Sequence, residues 1–540
     1  MTARCCFLFA LLVAARPAAA QPLPDDSLRL VDAVFARFSA DGPGCAVGVT
    51  RGGAPALARA YGLADLEHDV PNTPATIFEA GSVSKQFTAA AAILLALDGK
   101  LSLDADVRTY VPELPDYGTP ITVRHLIHHT SGLRDWGVVA ALEGWPRGAR
   151  VHTHAHVLDI ARRQRMLNYQ PGDFYSYTNT GYNLLAIIVE RVSGQSFAAF
   201  TRDRLFAPLG MTSTRWRDDF SEVVKGRAVA YRPGPNGTFR LDMPFENVHG
   251  NGGLLTTVAD LLHWTDALQT ERGLPAALVA EMHRQARLNS GRPIEYAGGL
   301  VVSRYGAAAE VSHSGATAGY RAFLARYPAR HLAVAVLCNA ASADATMLAR
   351  RVADLFLGAP PASTAPTPFA MPAEALAARA GLYRNTRTLQ PLRLASADGQ
   401  LRLEGGPVLV PRSDAQFQAG AGTSLAFEGP GHTPFRMAGA DGDTVLFEPQ
   451  PAFAPSAGDL AGFAGTYRSD EAEATFAVAV EDGRLVLRDR YGATRPLRPV
   501  YPDAFVGEGG TYRFVRDASG NVTELSVMAG RVWDLRFRRL

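Results

Sequence analysis

Apolar residues recur at helical spacing over residues 27–40 and then form short, strand-like runs over 45–50 and 56–61. The two strands meet at a turn built on Arg51, Gly52 and Gly53 and closed by Pro55, which is a hairpin signal. A long, mostly helical middle follows, with helix caps at Thr122 and Thr257. Within it, residues 87–97 are almost wholly apolar, so the helix they predict is buried on every face. That helix is too short to cross a bilayer. Strand patterns return at 297–302, 310–313, 320–327 and 332–337, and a helical pattern over 343–357 closes the region. Sheet at both ends with helices between predicts an α/β (α+β) domain. Its single sheet, mixed or antiparallel, is assembled from the two ends and flanked by helices.

The pattern changes after residue 357. Residues 358–372 hold five prolines among Ala, Ser and Thr, which is linker chemistry. Beyond it, short alternating runs dominate, and they repeat. Gly381, Tyr383, Asp398, Gly399, Leu401 and Leu403 recur as Gly465, Tyr467, Asp482, Gly483, Leu485 and Leu487 at a constant offset, and a second Pro-rich stretch at 449–455 separates the copies. Two related all-β units are therefore expected, and closed antiparallel barrels suit them because closure removes exposed edges. One larger sandwich holding both copies is the alternative. The resulting division is 1–20 signal peptide, 21–357 main domain, 358–373 linker, 374–448 first β unit and 456–540 second β unit.

A hydrophobic share of 47% and a charged share of 20% are globular values, and a formal net charge of +2 gives no basic footprint for nucleic acid or a membrane surface. The first 20 residues read as a secretory signal. Arg4 supplies the positive start, residues 7–15 the apolar run, and Ala18, Ala19 and Ala20 the cleavage pattern before Gln21. The expectation is export to the periplasm or the medium. Cys5 and Cys6 fall in that segment, which leaves Cys45 and Cys338 in apolar strand-like runs. Buried free thiols are the favoured reading there, ahead of a disulfide. The histidines, including His125, His128 and His129 at one helix start, have no metal-ligand spacing, so no metal and no cofactor are called for.

Only three of the 54 basic residues are lysine, so a lysine in an apolar setting needs a reason. Lys85 follows Ser82 by three residues at the mouth of the apolar helix, which puts both side chains on one face. Desolvation lowers a lysine pKa and makes it a usable base, and a helix N-terminus offers free N–H groups where an oxyanion would form. Tyr177 and Asn179 follow the turn Pro171-Gly172-Asp173; in an extended segment they point to the same side. A phenol can relay a proton when a nearby cation lowers its pKa, and an amide can bind a carbonyl. The third cluster is His313, Ser314 and Gly315 at a strand end. His313 could hold a carboxylate or complete the proton network, and Gly315 would let a substrate backbone approach.

Together these clusters make the chain resemble the class C β-lactamase, DD-peptidase and D-aminopeptidase superfamily of serine hydrolases, over roughly residues 26–357. The resemblance also runs through 121–133, 208–211 and 252–260. It implies that Ser82 attacks a carbonyl to form an acyl-enzyme, with Lys85 and Tyr177 moving the proton. It also implies that Asn179 orients the substrate amide, and that the N–H groups of Ser82 and Ala316 form the oxyanion hole. Histidine rather than lysine at position 313 is similar to the DD-peptidase and D-aminopeptidase pattern, so a small peptide, amide or ester is the expected substrate. Hydrolysis of amides beside a D-residue is the favoured activity, ahead of an esterase or a slowly turning-over penicillin or peptide sensor. The two β units are similar to the paired lipocalin-like barrels of D-aminopeptidases. The sequence leaves a homodimer open, and also whether a barrel loop enters the active site.

Overall fold

A computed structural model describes residues 25–358, 369–420, 422–439 and 443–540. The signal peptide and most of the linker lie outside the described residues. The main sheet has six strands: β1 (Cys45–Arg51), β2 (Ala54–Tyr61), β3 (Val301–Tyr305), β4 (Ala308–Thr317), β5 (Tyr320–Tyr327) and β6 (Leu332–Cys338). Their order is β3-β4-β5-β6-β1-β2, and every ladder is antiparallel. The two ends of the region therefore meet at the β6–β1 pair, where Cys45 stands opposite Cys338.

Side chains alternate between the two faces of this sheet, as the period of two requires. Val47, Val49 and Val336 face one core with the helices α1 (Asp25–Phe35) and Ala345–Leu357. Ala46, Ala335 and Leu337 face the larger core, which holds α2 (Lys85–Leu97) and the helices Asn179–Ser193 and Val258–Thr270. Residues Lys85 to Leu95 of α2 are all buried, in keeping with the apolar run that predicts it. Thr122 and Thr257 cap helices, their hydroxyls accepting from His125 N and Asp260 N.

Two expectations need correction. The strand expected at 297–302 begins only at Val301, because Ala297 to Leu300 form a turn laid on the start of α2. A Cβ on Gly299, whose φ is +72°, would meet the Lys85 carbonyl oxygen at 2.6 Å. The two buried cysteines are not free thiols: Cys45 and Cys338 form a disulfide across the β1–β6 pair. The ladder that brings the two strands together decides this, and their separation of 293 residues gave no local signal.

The C-terminal region forms two eight-stranded units. In the second, strands from Gly465–Ser469 to Val532–Arg539 make a closed barrel, sealed by the pairing of Tyr467 with Arg539. In the first, the strands from Gly381–Asn385 to Thr444–Gln450 form an eight-stranded sheet whose ends meet at one bridge, Arg402 with Val408. The repeat has a structural basis. Tyr383 and Tyr467 each donate a 2.8 Å hydrogen bond to the carbonyl four residues earlier, on Arg379 and Phe463. Asp398 and Asp482 take positive φ at the matching Asp-Gly hairpin turns.

The second barrel is docked on the main domain. Arg134, almost fully buried, donates to Glu471 at 2.7 Å, and Gln164 Nε2 donates to the Glu471 carbonyl at 3.0 Å. Trp136, Val139 and Ile160 of the main domain belong to the same apolar cluster as the barrel's Tyr467, Phe476 and Phe537. Replacing both cysteines by alanine is expected to lower the unfolding free energy by about 2–5 kcal/mol. Guanidinium unfolding curves of wild type and double variant read this directly, and superimposable curves would show that the bond carries no stability.

Candidate active site

Ser82 lies on a 3₁₀ turn, Gly81–Ser84, that runs straight into α2. Two glycines set its place. Gly81 has φ +51°, and a Cβ there would meet Ala316 N at 2.6 Å; a Cβ on Gly315 would meet the Ala80 carbonyl oxygen at 2.0 Å. The end of β4 is therefore pressed against the chain that presents Ser82. This corrects the reason for Gly315: it admits the protein's own backbone at Ala80, where the sequence suggested room for a substrate. The consequence is that the N–H groups of Ser82 and Ala316 belong to adjoining stretches of backbone, as two oxyanion donors must.

Ser82, Tyr177, Asn179, His313, Gly315 and Ala316 all line one cleft of about 670 Å³. Lys85 lies beneath it, with no exposed surface. Its Nζ is 3.2 Å from Ser82 Oγ, 3.0 Å from Asn179 Oδ1 and 2.6 Å from the Asn251 carbonyl oxygen. Among the described residues no carboxylate pairs with it. Burial drives its pKa well below the usual lysine range, and the Arg531 guanidinium pushes the same way, against the pull of Asp135. A neutral amine has two hydrogens and one lone pair. In that state, hydrogens given to the two carbonyl-type oxygens leave the lone pair for the serine hydroxyl.

Tyr177 does not sit in an extended segment with Asn179. It directly precedes a helix, Thr178 being the N-cap and Asn179 the first helical residue. Both side chains still reach the cleft. Burial holds the Tyr177 phenol above its usual range, with Ser82 and Arg531 pulling it back, so it stays protonated. The nearby cation offsets desolvation without overcoming it. Of the two proton-transfer candidates, only Lys85 is therefore poised as a base.

His313 is buried, and both of its ring nitrogens are engaged: Nε2 lies 2.9 Å from Tyr296 Oη, and Nδ1 lies 2.6 Å from the Ser314 carbonyl oxygen. Burial lowers its pKa to about 4. It is a neutral ring, with Nδ1–H donating and Nε2 accepting, and it has no nitrogen free to hold a substrate carboxylate.

Several residues that the sequence reading did not single out complete the site. His129, fully buried at φ +58°, packs tilted against Tyr177 with ring centroids 4.2 Å apart and accepts from Thr178 N at 3.2 Å. Asp135 accepts from Asn179 N at 2.8 Å while capping the helix Trp136–Glu143. Tyr296 closes the aromatic box around His129 and His313. His129 stands in the stretch 121–133 that carries the superfamily resemblance, so a signal for it exists in the sequence. Arg531 had none: it is the tip of a hairpin between the last two strands of the second barrel, and it enters the cleft with its guanidinium carbon 4.8 Å from the centre of the Tyr177 ring. A barrel loop does enter the site.

The family description Beta-lactamase matches residues 31–357, more than half of the chain. The chain belongs to the beta-lactamase family. A D-aminopeptidase of Gluconobacter oxydans is 29% identical over 470 residues, covering 83% of this chain and 84% of that protein. The octameric penicillin-binding protein homologue from Pyrococcus abyssi matches with a TM-score of 0.56 at 23% identity, over 87% of this chain and 99% of its own. The D-amino acid amidase from Ochrobactrum anthropi matches with a TM-score of 0.52 at 23% identity, over 61% of this chain and 98% of its own. At these identities the two structures establish the fold.

The depressed His313 pKa has a measurable consequence. The unfolded chain takes up a proton near pH 6.5 that the folded chain refuses until about pH 4, so stability is full above pH 6.5 and falls as the pH drops through that window. The expected contribution is roughly 3 kcal/mol. Urea unfolding at pH 4, 5 and 7 should show a shallower pH dependence in His313→Gln than in wild type; parallel dependences would mean that His313 is charged in the folded protein.

Proposed function

We propose that this chain is a serine hydrolase that cleaves amide bonds of small peptides or amides beside a D-residue, through an acyl-enzyme on Ser82. The observation that carries the reading is the set of three contacts around the buried Lys85 amine. Its Nζ lies within hydrogen-bond reach of two carbonyl-type oxygens and 3.2 Å from Ser82 Oγ; as a neutral amine it gives its two hydrogens to those oxygens and turns its lone pair to the serine. Lys85 takes the serine proton as Ser82 Oγ attacks the substrate carbonyl. The oxyanion is received by the N–H groups of Ser82 and Ala316. Tyr177, protonated and beside Ser82, passes a proton to the leaving nitrogen and is recharged from Lys85. Water then attacks the acyl-enzyme by the same route in reverse.

Asn179 spends its Oδ1 on Lys85 and so presents its amide hydrogens to the carbonyl of the bound substrate. His313, locked between Tyr296 and the Ser314 carbonyl, acts as a positioning residue for the end of β4. The D-aminopeptidase relatives and the D-amino acid amidase neighbour support amides next to a D-residue as the substrate class. We also propose that the protein is exported to an oxidising compartment, which the Cys45–Cys338 disulfide supports.

Ser82→Ala is expected to lower turnover of acetyl-D-alanine p-nitroanilide by about three orders of magnitude or more while the circular dichroism spectrum is unchanged. Lys85→Arg should be equally inactive, because a guanidinium does not give up its proton near neutral pH. Wild-type rates in the first variant would remove Ser82 as nucleophile, and wild-type rates in the second would remove Lys85 as base.

A further inference from the structure

The charged groups around the cleft are unequal in sign. Arg147, Arg321 and Arg531 line it, and Asp344 is the one carboxylate among the described lining residues. Asp344 is exposed and caps the helix Ala345–Leu357, its Oδ1 accepting from Met347 N at 2.9 Å. Arg147 is paired with Glu246 at 2.8 Å. Arg321 meets only carbonyl oxygens, those of Ala318 and Tyr320 at 2.7 Å, and no carboxylate pairs with it among the described residues.

Arg531 is placed with more care than an exposed turn residue requires. Its own carbonyl accepts from Asn168 Nδ2 at 2.9 Å, and two residues on, Trp533 N donates to Asn168 Oδ1 at 3.0 Å. Trp533 in turn packs on Tyr169 with ring centroids 5.0 Å apart. The hairpin tip is thus clamped to the main domain at its backbone. The guanidinium extends over the Tyr177 ring and reaches Asp135 with one Nη at 3.4 Å, a long contact that leaves donors facing the cleft. A free α-ammonium in this cleft would face this guanidinium with no carboxylate dedicated to it. A carboxylate would meet the fork geometry that a guanidinium matches best.

We propose that the cleft selects substrates bearing a carboxylate, that Arg531 of the second barrel is the residue that reads it, and that substrates with a free α-ammonium beside the scissile bond are disfavoured. The proposal rests on the serine-hydrolase reading above and narrows its substrate. The carboxylate can belong to the acyl portion retained on Ser82 or to the departing portion; the chemistry is the same, and the test separates the two.

kcat/KM is measured for three D-alanine p-nitroanilides that differ only at the α-nitrogen: free ammonium, acetyl and succinyl. It is also measured for acetyl-D-alanyl-D-alanine against its C-terminal amide. The first set places the carboxylate on the acyl side, the second on the leaving side. In one of the two, the carboxylate is expected to raise kcat/KM roughly tenfold or more over its neutral counterpart, with the free ammonium the slowest anilide. That ratio should fall to about one in Arg531→Gln, recover in part in Arg531→Lys and reverse in Arg531→Glu. A carboxylate advantage in neither set, an advantage that survives Arg531→Gln, or a preference for the free ammonium overturns the proposal. Turnover of the neutral acetyl anilide, lost in Ser82→Ala, reports on the hydrolase reading separately. Failure to turn over any of the five compounds overturns both.

Discussion

An amine buried without a carboxylate partner is the condition on which this site is built. Moving a charged ammonium out of water costs far more than one hydrogen bond returns, so burial favours the neutral amine at Lys85. Everything around it serves that state. The helix α2, buried from Lys85 to Leu95, supplies the dry surroundings, the Asn251 carbonyl and Asn179 Oδ1 lie within hydrogen-bond reach of the amine, and Arg531 adds a repulsive charge. A carboxylate in contact with Lys85 would restore its charge and remove the base. Asp135 is close enough to be felt, but it spends its oxygens on Gly137 N and Asn179 N and on the Arg531 guanidinium.

The same economy governs the aromatic shell. His129, Tyr177, Tyr182, Tyr296 and His313 pack ring against ring, and burial keeps the phenols protonated and the imidazoles uncharged. The charge that lies over the Tyr177 ring comes from outside the main domain, on Arg531. In the mechanism proposed above, the buried shell prepares the serine and the barrel hairpin meets the substrate, which divides catalysis and selectivity between two parts of the chain.

Much of this was written locally. The apolar run after Ser82, the spacing to Lys85 and the strand patterns near the end of the main domain are short-range signals, and the elements they predict are there. The 84-residue offset between the β units is legible in the same way, because Asp-Gly turns and the corner tyrosines are single-residue requirements. What escaped depends on long-range contact. Gly315 looked like an opening for substrate until the Ala80 carbonyl was seen against it. Cys45 and Cys338 carry no hint of each other until β1 and β6 are paired. His313 reads as a free imidazole until Tyr296 is placed beside it, and the position of Arg531 is decided by Asn168, far away in sequence, with no repeating pattern to announce it.

The strand β1 lies between β2, which follows it directly, and β6, which lies almost 300 residues later. Until residues 332–338 have been synthesised and have docked, one full edge of β1 stays open, with Cys45, Val47 and Val49 along it. An apolar strand with unpaired amide groups is a template for any other extended chain. Interrupted synthesis or truncation ahead of β6 therefore yields a fragment with an adhesive border, and the last strand of the sheet does double duty as the seal that keeps the nascent enzyme from self-association.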